Sequence, residues 1–172
     1  MKNLIIYISI LCAVFFLACK KDNKPGNASF TSEFDFLVDV PAQPNISTKD
    51  TTIAVTSEIS INDSRLEDCD KASLKSFYIE IREPASQTFD FCREAHLLLS
   101  APGIPEVDLI SAVNINPSSR RIDFNVNSIE LIQFLHQKSF TAKVRVVCMK
   151  GFTNPIKLYG NIVFNVQGKL KK

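Results

Sequence analysis

The chain has 172 residues, of which 45% are hydrophobic and 22% are charged. This is the composition of a globular protein, and it excludes both a disordered polypeptide and a membrane protein with several spanning helices. The 20 basic residues nearly balance the 18 acidic ones, for a net charge of +2, so we expect no nucleic-acid partner.

The N-terminal segment combines a positive charge at Lys2 with an apolar run that ends at Leu17. The run has the length of the hydrophobic part of a secretory signal peptide and is shorter than the roughly 20 residues of a spanning helix. Its last residues, Leu17-Ala18-Cys19, resemble the lipobox of bacterial lipoproteins. The resemblance implies that residues 1–18 are a signal peptide and that Cys19 is the lipidated first residue of the mature protein, held on the membrane by its acyl chains.

Residues 19–29 are polar, contain Pro25 and Gly26, and show no apolar period. They are predicted to form a flexible tether between the lipid anchor and a folded domain. The start Cys-Lys-Lys-Asp is similar to that of many lipoproteins of the Bacteroides group, which implies an outer-membrane location. In some of these proteins a lysine followed by acidic residues directs export to the cell surface. Here only Asp22 is acidic, so the periplasmic and the cell-surface side both stay open.

Residues 30–168 read as one domain of short strands. Hydrophobic residues alternate with polar ones in successive runs, and proline, asparagine and glycine separate the runs. This pattern predicts strands near Phe34, Ile53, Phe77, Phe89, Val107, Ile122, Phe140 and Ile156. The spacing is too short for parallel crossovers, so the predicted fold is mainly β, an antiparallel β-sandwich with one or two short helices. The order of elements resembles small β-sandwich lipoproteins of the Bacteroides group, and the sandwich is similar to immunoglobulin-like and late-embryogenesis-like domains.

Two segments interrupt the strand pattern. Residues 62–74 contain few strand-forming residues and are predicted to hold a short helix. Residues 127–137 are predicted to form a second helix across one end of the sandwich. Asn127 would be its N-cap, and Glu130, three residues later, would complete a capping box.

Three cysteines remain if Cys12 leaves with the signal peptide and Cys19 is lipidated: Cys69, Cys92 and Cys148. Export would place them in an oxidising compartment, where one pair can persist as a disulfide. The sequence permits three such pairings. It equally permits three buried thiols that act as small hydrophobic side chains.

The sequence offers no set of residues that indicates catalysis. His96 follows Cys92 by four residues, which in a regular strand puts both on one face, but thiol enzymes draw their histidine from elsewhere in the fold. His136 is predicted to face solvent at the end of the second helix. We therefore expect no catalytic residue and no enzyme activity.

Metal and cofactor sites are also not expected. The cysteines and histidines lack metal-ligand spacing, and the acidic residues Glu67, Asp68 and Asp70 lack the pattern of a calcium loop. The five glycines are too dispersed for a phosphate-binding loop. Asp50-Thr51-Thr52 resembles the O-glycosylation acceptor of exported Bacteroides-group proteins, which implies Thr51 as a modification site.

The predicted function is that of a non-catalytic binding or structural module, which meets an unknown protein or glycan partner through its loops or a sheet face. One alternative is a glycan-binding lipoprotein of a nutrient-uptake system, for which Tyr78 and Tyr159 would be the stacking residues because tryptophan is absent. Another is a pilus or adhesion component, for which residues 161–166 would be the donated strand.

Overall fold

The computed structural model describes residues 27–46 and 51–169. The predicted signal peptide, the lipidated Cys19 and most of the tether lie outside these residues. The first strand, β1, spans Asn27–Val40. Residues 27–29, which the sequence assigned to the tether, are therefore part of the folded domain.

The described part of the chain forms eight strands, one 3₁₀ helix and one short α-helix. In chain order they are β1 (Asn27–Val40), β2 (Thr51–Ser60), the 3₁₀ helix (Ser64–Asp68), β3 (Cys69–Glu83), β4 (Cys92–Ala101), β5 (Ile104–Val113), β6 (Arg121–Asp123), α1 (Ile132–Leu135), β7 (Ser139–Cys148) and β8 (Ile156–Lys169).

The strands form two four-stranded antiparallel sheets. The first sheet has the order β1-β8-β3-β6, and the second has the order β2-β7-β4-β5. The predicted antiparallel β-sandwich is therefore confirmed. Its strand order is that of an eight-stranded jelly roll, in which the chain passes repeatedly from one sheet to the other. The similarity to immunoglobulin-like domains indicated the architecture but not this order.

The core lies between the two sheets and follows the alternation seen in the sequence. Along β7 every second residue from Phe140 to Cys148 is buried, as the period of two predicts. Phe34 of β1, Phe140 of β7 and Phe164 of β8 meet edge to face, with ring centroids 5.4 to 6.1 Å apart. This trio joins the two sheets by an arrangement that aromatic rings favour.

The helix predicted within residues 62–74 is shorter than expected. Only Ser64–Asp68 is helical, as a single 3₁₀ segment whose N-terminus is capped by the Asp63 side chain. The chain enters β3 at Cys69, because Ala72 and Leu74 both point into the core and continue a strand pattern. The local scarcity of strand formers was outweighed by this burial.

The second predicted helix is also short, and its capping box is wrong. The helix α1 spans Ile132–Leu135 with Leu131, not Asn127, at its N-cap. The Glu130 carboxylate accepts hydrogen bonds from the backbone N–H groups of Ala72, at 2.8 Å, and of Ile132, at 3.2 Å. Residues 130–131 extend alongside β3 instead of coiling, because this pairing satisfies backbone groups that a longer helix would leave unpaired.

Candidate functional site

The three cysteines lie in two regions of the sandwich, and all three are buried free thiols. Cys92 opens β4 and Cys148 closes β7, where the two are direct cross-strand partners. Cys69 opens β3 in the other sheet, and its thiol donates a hydrogen bond to the carbonyl oxygen of Arg65 at 3.0 Å. The fold thus brings together two of the three cysteines that the sequence singled out.

Cys92 and His96 lie on opposite faces of their sheet, contrary to the regular alternation assumed from the sequence. A β-bulge causes this, because Cys92 and Glu94 pair with the successive residues Cys148 and Val147 and leave Arg93 as an extra residue. Cys92 points into the core and His96 points outward. The two side chains therefore form no nucleophile–base pair.

His96 belongs to a cluster of charged side chains on the outer face of the second sheet. Its Nε2 lies 2.9 Å from Glu94 Oε1, and its Nδ1 lies 3.0 Å from Asp108 Oδ2. The guanidinium of Arg145 donates to the same Asp108 oxygen at 2.5 Å. Every group in this cluster has a partner within it, so the cluster ties together β4, β5 and β7 across their solvent side.

The structure also locates His136 and Thr51, the two other polar residues that the sequence singled out. His136 follows α1, is exposed, and its Nε2 lies 3.0 Å from the carbonyl oxygen of Cys69. Within residues 27–46 and 51–169, no group of three or more histidine, cysteine and acidic side chains is placed to hold a metal ion. Thr51 is the first residue of β2, half-buried and opposite Cys148.

An apolar cavity lies in the interior, and it is too small for a ligand larger than water. This cavity holds about 20 Å³ and lies between the sheets among hydrophobic side chains that include Ile53, Val146 and Leu158. A space of this size fits a single water molecule at most, and it has no polar partner for one. This cavity is therefore not a ligand-binding site.

The outer face of the first sheet carries the candidate site. Cross-strand pairing places Tyr159 of β8 between Leu37 of β1 and Glu80 of β3, and the next row places Asn161 between Asp35 and Tyr78. The rings of Tyr78 and Tyr159 lie 5.9 Å apart. We call this surface the tyrosine face, and its residues are Glu33, Asp35, Leu37, Tyr78, Tyr159 and Asn161.

A hydrogen-bond network orders the tyrosine face. The Asn161 side-chain N–H group donates to Glu33 Oε1 at 2.5 Å and to Asp35 Oδ1 at 2.7 Å, and the Tyr159 hydroxyl donates to the same Asp35 oxygen at 2.6 Å. Asn161 is only 4% exposed although it lies on the outer side of the sheet. Burial, followed by the hydrogen bond to Asp35, raises the pKa of Tyr159, so the hydroxyl stays a donor to a higher pH than that of an exposed tyrosine.

Two arginines lie against the tyrosine rings. The Arg121 guanidinium carbon is 3.5 Å from the Tyr78 ring centre, and that of Arg82 is 4.5 Å from the Tyr159 ring centre. Each arginine also pairs with a carboxylate, Arg121 with Asp123 and Arg82 with Glu80. The face therefore combines aromatic surface, fixed acceptors and half-exposed cationic donors, the groups that orient a polar ligand.

Sequence reasoning named both tyrosines as stacking residues but did not show that they are neighbours. It also missed Asn161, Asp35 and Glu33. The alternation around Phe34 did signal that Glu33 and Asp35 share one outward face. No local signal indicated that β8 would lie between β1 and β3 and bring these residues together.

Exposed apolar side chains are few on the described surface. Leu37, 58% exposed, lies beside Tyr159 and adds an apolar margin to the tyrosine face.

None of the helices among the described residues has the length and apolar character needed to cross a bilayer.

No protein-family model matches the chain, and no curated protein matches its sequence. Among solved structures, the chain is similar to the decameric BFDV capsid protein, with 9% identity, 84% of this chain and 100% of that chain covered, and a TM-score of 0.42. It is also similar to the infectious bursal disease virus VP2 subviral particle, with 13% identity, 88% and 34% coverage, and a TM-score of 0.34.

A third similar structure comes from work on carbohydrate-binding modules of the β-sandwich superfamily, with 8% identity, coverage of 88% of this chain and 60% of that chain, and a TM-score of 0.33. Similarities this distant carry no argument about activity or ligands.

Proposed function

We propose that the chain is an exported outer-membrane lipoprotein, anchored through Cys19, whose jelly roll is a non-catalytic binding module. The observation that carries the binding role is the tyrosine face, where four side chains from two strands meet in a fixed hydrogen-bond network and Tyr78 from a third strand lies beside the Tyr159 ring. Such an ordered surface has already lost its side-chain freedom, which lowers the entropic cost of binding.

The shifted pKa values of one tyrosine at the site and of two core thiols support binding over catalysis. The pKa of Tyr159 is raised by burial, so its phenolate form is disfavoured. Burial also raises the pKa of the Cys92 and Cys148 thiols, and a thiol with a raised pKa in an apolar environment is a poor nucleophile. None of these three groups is thus suited to act as a nucleophile at neutral pH.

A glycan-binding lipoprotein of a nutrient-uptake system is the second candidate, and the pairing of Tyr78 with Tyr159 favours it. Aromatic rings offer apolar surface to the C–H faces of a sugar, while Glu33, Asp35 and the arginines offer acceptors and donors to its hydroxyl groups. The pilus alternative has less support, because residues 161–166 lie in the middle of β8 and are paired on both sides, with β1 and β3.

Binding at the tyrosine face is tested with a panel of soluble neutral and acidic polysaccharides in affinity electrophoresis. Tyr78→Ala and Tyr159→Ala should weaken retardation at least tenfold for any polysaccharide that retards the wild type. Thr56→Ala, an exposed change on β2 of the other sheet, is the matched control and should have no effect.

Two outcomes would count against this assignment. If no polysaccharide retards the wild type, the glycan candidate fails, and a protein ligand is then sought by crosslinking from the tyrosine face in native membranes. If the Thr56→Ala change and the two tyrosine changes weaken binding equally, the tyrosine face is not the binding surface.

The anchorage is tested separately by detergent partitioning of the full chain. The wild type should enter the detergent phase, and Cys19→Ser should remain in the aqueous phase after removal of the signal peptide, because it carries no acyl chain. Equal partitioning of the two proteins would refute the lipid anchor.

A further inference from the structure

Cys92 and Cys148 face each other across the two central strands of the second sheet. Cys92 is the first residue of β4, Cys148 is the last residue of β7, and they are direct partners in the antiparallel register. They are 2% and 0% exposed, respectively, and both point into the core. The sequence permits three cysteine pairs, and this register favours the pair Cys92–Cys148.

The backbone hydrogen bonds show which kind of cross-strand pair this is. The Met149 N–H group donates to the Phe91 carbonyl oxygen at 2.7 Å, one residue beyond the cysteines on each strand. The Cys92 N–H group donates to Phe89, at 2.9 Å, and not to Cys148. The cysteines therefore occupy a non-hydrogen-bonded position, where Cα atoms lie about 4.5 Å apart and side chains approach closely. Disulfides span Cα separations of about 4.4 to 6.8 Å.

Cys69 is too far away to take part. It pairs with Gly168 near the end of β8, whereas Cys148 lies near the start of that strand, since Val146 and Ile156 line one cavity. The residues between Ile156 and Gly168 extend over a distance on the order of 35 Å. No disulfide from Cys69 to either of the other two cysteines fits that separation.

We propose that Cys92 and Cys148 form a disulfide that links β4 to β7, and that Cys69 remains a thiol. The oxidant is a small-molecule or protein disulfide, such as oxidised glutathione. One cysteine thiolate attacks this disulfide, releases one thiol and forms a mixed disulfide. The second cysteine then attacks the mixed disulfide, which forms the Cys92–Cys148 bond and releases the second thiol. Two electrons and two protons pass to the oxidant.

The bond forms during folding and not after it. Burial raises the pKa of Cys92 to about 12 and that of Cys148 to about 11. The thiolate is the attacking species, so the folded, reduced protein reacts slowly. While β4 and β7 assemble, both thiols are still accessible, and the register brings them together.

The pairing is tested by peptide mapping of the full chain. The protein is reduced in denaturant, refolded with oxidised and reduced glutathione, alkylated in denaturant and digested with trypsin without reduction. Cys69, Cys92 and Cys148 fall in separate peptides, residues 66–71, 83–93 and 146–150, and Cys12 and Cys19 share a fourth, residues 3–20. The expected result is a linked species of peptides 83–93 and 146–150, two hydrogens lighter than their sum, with the alkyl group on Cys69.

Two variants keep the result interpretable. Cys69→Ala should give the same linked species, because this thiol is not needed for the bond. Cys148→Ala should leave Cys92 alkylated. A link that involves Cys69, or alkylation of both Cys92 and Cys148 in folded wild-type protein, would overturn the proposal. The wild-type map alone is decisive if the Cys148 variant does not fold.

Discussion

Gly160 shows how a single residue permits the first sheet to pack. It lies on β8 between Phe36 of β1 and Ile79 of β3, and the Phe36 ring covers it on the core side. A Cβ atom at this position would fall within the space of the Phe36 ring. Glycine is needed here because the Phe36 ring approaches so closely. Its φ is not in the left-handed region, so the backbone conformation is not the reason.

We expect Gly160→Ala to lower the free energy of unfolding by about 1 to 3 kcal/mol, because the added methyl group overpacks the core. Urea denaturation measures the change. The double variant Phe36→Leu/Gly160→Ala should recover part of the loss, since the smaller side chain vacates the space. If Gly160→Ala alone is as stable as the wild type, the ring does not pack where the structure places it.

The hydroxyl of Tyr159 makes the stability of the protein sensitive to alkaline pH. Its pKa is raised in the folded state, by burial first and then by Asp35. The unfolded chain therefore releases this proton at a lower pH than the folded protein does. The stabilisation is complete below the unfolded value, about pH 10, and is lost as the pH rises toward the folded value.

We expect Tyr159→Phe to lose less stability than the wild type between about pH 9 and about pH 11. Urea denaturation at the two pH values, in one redox buffer, measures the difference. Equal losses in the two proteins would mean that Tyr159 does not titrate differently in the folded and unfolded states.

The segment before α1 shows how an element can be positioned by one side chain. The Glu130 carboxylate joins the start of α1 to the start of β3 by accepting from Ile132 and Ala72. The sequence pointed to Glu130 as a capping residue, but it assigned the partner to Asn127. One of the two actual partners, Ala72, belongs to a strand 58 residues earlier in the chain, which no local pattern can reveal.

We expect Glu130→Ala to cost about 1 kcal/mol of stability, because two backbone N–H groups lose their acceptor. Glu130→Gln is the matched control and should stay near the wild type, since the amide oxygen can accept both bonds. Thermal unfolding of the three proteins gives the comparison. If the glutamine variant is as destabilised as the alanine variant, the negative charge matters and the hydrogen bonds do not.

At the scale of the whole molecule, the two sheets share one core, so the proposed disulfide between β4 and β7 bears on the stability of the entire domain. It would close a loop of roughly 55 residues, which restricts the unfolded chain by about 4 kcal/mol in the loop-entropy model. Reduction of the bond would remove that restriction while leaving the native contacts in place.

We expect a reductant to lower the free energy of unfolding of the wild type by up to about 4 kcal/mol, and to leave Cys148→Ala unchanged. Guanidinium denaturation with and without dithiothreitol measures both effects. A reductant effect of equal size in the two proteins would show that it does not act through this pair.

The sequence by itself determined the local features of this protein. The alternation of apolar and polar residues showed eight strands and which residues face the core, because side chains in a strand point to opposite faces with a period of two. Pro102-Gly103 likewise fixes the turn between β4 and β5, where Gly103 takes a φ of 76° that glycine adopts without strain. The resemblance at Leu17-Ala18-Cys19 predicted the anchor, which lies outside the described residues.

Only the tertiary structure decided which strands are neighbours, and with them the jelly-roll order, the tyrosine face and the Cys92–Cys148 juxtaposition. Tyr78 and Tyr159 are some 80 residues apart, and their rings meet because β8 lies between β1 and β3. Because of the bulge after Cys92, Cys92 and His96 lie on opposite faces of the sheet, whereas a regular strand would place them on the same face. Strand pairing depends on the packing of the whole core. The free energy of that packing comes from residues that are distant in the sequence, so no single segment encodes the pairing.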